Sequence, residues 1–172
     1  MSYVMKLSKT MARLCVIVSI ALPVTVIMVW FSNFWEPQSQ IATMLHLSEI
    51  NMIQRFLGIT ASSLFPAVLV FGLLNLRWTF LEASHARYFS EKAVSSFRTF
   101  AWSVFFAIPT RIIEGAMVSV ITSWHLGEGN RQLSIGIGTP ELASLFLAFL
   151  FVAIAHIWAE GQKYAEDSEQ II

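Results

Sequence analysis

Residues 14–31 read LCVIVSIALPVTVIMVWF, eighteen positions without a charge. A helix rises about 1.5 Å per residue, so this run reaches about 27 Å, close to the roughly 30 Å hydrocarbon core of a bilayer. Lys6, Lys9 and Arg13 precede it, as in the basic region of a secretory signal. The apolar core is too long for such a signal, and Val29-Trp30-Phe31-Ser32-Asn33-Phe34-Trp35 offers no small-x-small cleavage site. The segment reads as a retained anchor over about 11–33. Trp30 and Trp35 are expected at its far interface, where amphipathic rings prefer to lie.

Three further runs have the same character. They cover about 56–78 through LGITASSLFPAVLVFGLLNL, about 99–124, and about 140–158 through ELASLFLAFLFVAIAHIW. The 172-residue chain is 56% hydrophobic and 13% charged, whereas a soluble domain carries about 25% charged residues. The expectation is an all-α fold, an integral membrane four-helix bundle forming a single domain over 1–172. Lys6, Lys9, Arg13, Arg77, Arg87, Lys92, Arg98 and Lys163 fall on one side of the spans. Only Arg55 and Arg131 fall on the other, with Arg111 inside a span. By the positive-inside rule both termini and the 79–98 loop are cytoplasmic. Zero net charge leaves no basic footprint for direct nucleic-acid binding.

The connections carry their own signals. An interfacial helix is expected over about 41–53. The second span is expected to run on to about Ala86. Ser90 can then cap a new helix with Glu91 in its first turn. Val94, Phe97 and Ala101 recur at helical spacing, so that helix feeds straight into the third span. Residues 125–138 read as a glycine-rich turn ending in Thr139-Pro140-Glu141, a cap, a first-position proline and an acid at the positive dipole end. Gly161 can close the fourth span in the left-handed conformation. Gly58, Ala61, Ser62 and Ser63 in the second span, and Gly115, Ala116 and Ser119 in the third, are small enough for close helix packing. Pro23, Pro66 and Pro109 are expected to kink their spans. Cys15, the single cysteine, reads as a small lipid- or helix-facing side chain, with palmitoylation the alternative.

Arg111 and Glu114 carry the functional question. A charge at mid-bilayer costs about 2.5–3.5 kcal/mol even on the lenient insertion scale. Three residues apart on a helix, the two share a face and are close enough to pair. They can form a structural ion pair, or a polar pocket or relay with Thr110 nearby. Alternatively the span is offset, and one of them snorkels to the interface. His156 with Glu160 four residues on is a second, pH-sensitive pair. Arg87, Phe89, Ser90 and Glu91 form either a solvated face or a docking surface for a soluble partner. His46 and His125 fall on the opposite side from His85 and His156, which disfavours a bis-histidine haem. No metal-ligand spacing, phosphate loop or nucleophile elbow is present, so the expectation is no cofactor, no metal and no enzyme activity.

Two stretches carry a family resemblance. Arg87-Tyr88-Phe89-Ser90-Glu91-Lys92-Ala93-Val94, with Phe97-Arg98 and Ala101-Trp102, resembles the loop motif of the YoaS-like family of small bacterial four-span membrane proteins, although that motif's glycine is missing. Ile157 to Asp167 resembles the family's ending, a span running through a glutamate-glycine step into an acidic tail. The resemblance implies a bacterial inner-membrane location and no known activity. Members are often encoded beside a helix-turn-helix regulator, which implies membrane-linked regulation with such a partner. The leading expectation is a non-enzymatic regulatory or sensory protein. The alternative is a small-molecule, proton or ion carrier using Arg111 and Glu114, in which case a homo-oligomer, most simply a dimer, is expected.

Overall fold

A computed structural model of the chain describes residues 3–32, 50–124 and 133–169. They form five helices: α1 (Tyr3–Phe31), α2 (Met52–Ser62), α3 (Leu64–Ser84), α4 (Glu91–Ser123) and α5 (Thr139–Glu169). With α2 and α3 taken as one broken helix, four helical stretches are long and apolar enough to cross a membrane. The protein is an all-α four-helix membrane protein. The 41–49 part of the expected interfacial helix lies outside the described residues. From Ile50 onward the chain enters α2 through an Asn51 cap.

Helix starts follow local chemistry. Asn51 accepts from the Gln54 amide at 2.9 Å while Gln54 Oε1 accepts from the Asn51 amide at 3.1 Å, a reciprocal capping box. Ser90 Oγ accepts from the Ala93 amide at 3.2 Å and starts α4, with Glu91 in its first turn as expected. At α5 the capping group is Glu141, whose Oε2 accepts from the Gly138 amide at 2.9 Å. Thr139 is already helical. The turn between α3 and α4 is tight, and Ala86 adopts a positive φ of 61°.

Small residues set the packing. Ser8, Ala12, Cys15 and Ser19 form a buried stripe along α1, which packs on α3. Cys15 is therefore a helix-facing rather than a lipid-facing side chain. Gly72 lies so close to α4 that a Cβ there would sit 2.9 Å from Ser103 Cβ. On the other flank of α4, Phe97 meets Trp158, Phe100 meets Phe151 and Phe105 meets Phe149, with centroids 5.1–5.5 Å apart. Ala148 and Ala155 let α5 approach. Among the described residues, α1, α3, α4 and α5 lie in series, and the backbone of α5 comes close to α4 alone.

Several expectations need correction. Pro23 and Pro109 sit inside α1 and α4, which stay helical through them without a break, as a kinked helix also does. Only Pro66 coincides with a break, at Ser63. Pro66 has no amide hydrogen to give the Ser62 carbonyl, and the chain re-enters helix one residue later. Gly161 does not end its span, because α5 continues to Glu169. It lies under the Phe89 ring instead, where a Cβ would come within 3.3 Å. Gly115 has open space around it and packs nothing. Trp30 is 1% exposed, so it is a core residue rather than an interfacial anchor.

The close approach at Gly72 gives a direct test. Gly72→Val is expected to cost about 1–3 kcal/mol by overpacking. The measurement is a shift of the SDS-unfolding midpoint of the purified protein, and Gly115→Val is expected to leave that midpoint unchanged.

Candidate functional site

The break between α2 and α3 organises the polar residues at the end of the bundle away from the 85–90 turn. Phe65 is the second residue of α3, so its amide belongs to the set that has no partner within its own helix. Glu114 of α4 supplies the acceptor: its Oε2 lies 3.2 Å from the Phe65 nitrogen. A carboxylate there also meets the positive end of the α3 dipole.

Trp30 fills the space beside this junction. Its Nε1 donates to Ser62 Oγ at 3.0 Å. A Cβ at position 58 would overlap the six-membered ring of Trp30, so only glycine admits the indole. Arg55, 4% exposed, donates from a guanidinium nitrogen to the Trp30 carbonyl at 2.7 Å and so caps the C-terminal end of α1. The sequence counts Arg55 as a loop cation of the far side; the fold turns it inward to a helix end. Thr25, Val26, Val29, Trp30, Ser62, Glu114 and Val118 line an open cleft of about 220 Å³.

Arg111 does not join Glu114 in an ion pair. Its Nε lies 3.7 Å from Glu141 Oε1, at the start of α5, and its guanidinium stacks 5.5 Å from the Phe65 ring centroid. The reason is the stagger of α5. The aromatic ladder between α4 and α5 brings Glu141 level with Arg111, so α4 runs on past the first turn of α5 to Ser123. Thirteen residues, about 20 Å of helix, separate Arg98 from Arg111. The Arg111 side chain is 61% exposed and long enough to snorkel. Arg111 and Glu114 thus take separate partners rather than each other. Thr110 Oγ1 bonds the Phe106 carbonyl at 2.7 Å and stays outside the cleft.

At the other end, His156 and Glu160 are not brought together. His156 Nδ1 lies 2.8 Å from the Val152 carbonyl, and Glu160 pairs with Lys163 at 3.4 Å. Arg87, Phe89, Ser90 and Glu91 do cluster, in the turn before α4. Buried Glu82 is the hub: its carboxylate takes Arg87 Nε at 2.8 Å and Ser90 Oγ at 3.3 Å. Thr79 Oγ1 donates to the Ala93 carbonyl at 3.2 Å, and Lys92 Nζ sits 3.7 Å over the Trp78 ring. Glu82 looks in the sequence like one more surface acid, and only the Ala86 backbone reversal folds Arg87 and Ser90 back onto it. Tyr88 and Phe89 stay 38% and 49% exposed at the tip. Among the described residues, no three His, Cys, Asp or Glu side chains are grouped as metal ligands. Comparison with protein families, with curated proteins and with solved structures finds no match.

Glu114 has its main partner in α3 and Arg111 in α5, with a weaker Coulombic contact between the two. Glu114→Ala is expected to cost about 1–3 kcal/mol by leaving the Phe65 amide unpaired. Arg111→Ala is expected to cost under about 1 kcal/mol, as for an exposed pair. A double-mutant cycle in SDS unfolding checks this. Coupling of Arg111 to Glu141 should exceed its coupling to Glu114.

Proposed function

We propose that this protein is a non-enzymatic regulatory or sensory protein of the bacterial inner membrane. Both termini and the turn before α4 face the cytoplasm, and that turn is the docking face for a soluble partner. One observation carries the reading. A turn between two spans needs only polar residues, yet this one holds Tyr88 and Phe89 half-exposed. Its shape is also fixed, by Glu82 bridging Arg87 and Ser90 and by the strained backbone at Ala86. Exposed aromatics on a pre-ordered support are what a binding surface requires, because little entropy is lost on docking. The charge bias of the loops supports the orientation, and the YoaS-like resemblance supports a helix-turn-helix regulator as the partner.

The carrier reading is favoured less. Arg111 and Glu114 are each committed to a helix end, which removes the anion-holding arginine from the cleft at Glu114. A small, mainly apolar cleft remains beside one carboxylate, and a carrier would work through that group alone.

Affinity purification of the full chain in mild detergent is expected to recover one soluble regulator in near-stoichiometric amount. Tyr88→Ser with Phe89→Ser should abolish recovery while circular dichroism stays unchanged. Lys163→Ala should leave recovery intact. The same proteins recovered from wild type and the double variant would contradict the proposal.

A further inference from the structure

A second polar region lies at the same end as the turn, in the groove between α1 and α3. Lys9 and Arg13, four residues apart on α1, face Arg77 and His85 of α3 across a groove of about 680 Å³. Ala12, Val16, Ile17 and Leu81 make its apolar wall, and Ser84 adds a hydroxyl. No acidic residue lines it. Among the described residues no carboxylate lies at ion-pair distance from Lys9, Arg13 or Arg77. The nearest acid in sequence, Glu82, is turned away and held by Arg87 and Ser90. His85 Nδ1 is held by the Leu81 carbonyl at 2.8 Å, which leaves Nε2 for a ligand.

Three cations facing one another without a counter-charge repel, so an anion between them is stabilised. Depth narrows the chemistry. The uncharged run of α1 begins at Leu14, directly after Arg13, and the apolar run of α3 ends at Leu76, directly before Arg77. The groove therefore straddles the boundary between hydrocarbon and headgroups, with a basic rim on the water side and Val16 and Ile17 on the lipid side. Scattered interfacial anchors would snorkel apart into separate headgroups. Here two helices converge on a single volume.

We propose that this groove is a binding site for one phosphate-bearing anion, filled in the membrane by the headgroup of an anionic phospholipid whose acyl chain lies along Val16 and Ile17. The recognition is of phosphate by Lys9, Arg13 and Arg77, with Ser84 and His85 as further hydrogen-bonding groups. The site is independent of the docking reading, since neither Tyr88 nor Phe89 lines it.

Native mass spectrometry of the full chain in detergent tests this, with dioleoylphosphatidylglycerol, dioleoylphosphatidylcholine and inorganic phosphate as separate probes. One equivalent of phosphatidylglycerol is expected to be retained at least tenfold more tightly than phosphatidylcholine. Arg13→Gln with Arg77→Gln should remove that preference. Arg13→Lys with Arg77→Lys should keep most of it, which separates loss of charge from loss of fold. Arg98→Gln with Lys163→Gln removes as much charge elsewhere and should change nothing. Inorganic phosphate binding as tightly as phosphatidylglycerol would assign the site to free phosphate, overturning the lipid occupant. Equal retention of both lipids, or equal loss in the control pair, would overturn the site itself.

Discussion

A helix end exposed to hydrocarbon has no water to satisfy its backbone, and this constraint governs the loop end of the bundle. The second span is broken at Ser63 because Pro66 cannot continue the hydrogen-bond ladder. The break leaves new amides at membrane depth, and Glu114 reaches across from α4 to accept from Phe65. The remaining contacts at this end solve the same problem. Arg55 closes the carbonyl end of α1, and Glu141 closes the amide end of α5 while taking Arg111 as its counter-ion. Charges that look costly in a linear reading are attached to dipole ends of their own preference.

This explains why the helices can lie in series with so little buried surface. Without a hydrophobic drive between apolar helices in lipid, association rests on close packing and polar contacts. The contacts sit at the two ends. At one, Trp30 wedges onto Gly58 and bonds Ser62. At the other, Glu82 gathers the turn and Thr79 bonds across to Ala93. Between them, Gly72 against Ser103 and the α1 stripe of Ser8, Ala12, Cys15 and Ser19 let the backbones approach.

The architecture was readable because apolar runs of span length have few alternative uses. Ser90 was readable as a cap because that signal is local. Partners across the bundle were not. The spacing of Arg111 and Glu114 invites pairing within the helix, but the stagger of α5 depends on interlocking aromatics that no linear pattern encodes. Trp30 sits at a span end, as an interfacial tryptophan would, yet the missing side chain at Gly58 draws it inside. Gly161 carries a stop signal that α5 overrides, since Phe89 packs there on a continuous helix. The groove of Lys9, Arg13 and Arg77 was visible only as loop charge until α1 and α3 were side by side.

The central claim is that the intramembrane acid of the third span is a helix cap for the second. Hydrogen exchange of the Phe65 amide, followed by NMR in nanodiscs, tests it most directly. Wild-type protein should show strong protection. Glu114→Ala should speed exchange at Phe65 at least tenfold, and Arg111→Ala should leave it unchanged. Protection that survives Glu114→Ala, or that is lost equally in Arg111→Ala, would contradict the account.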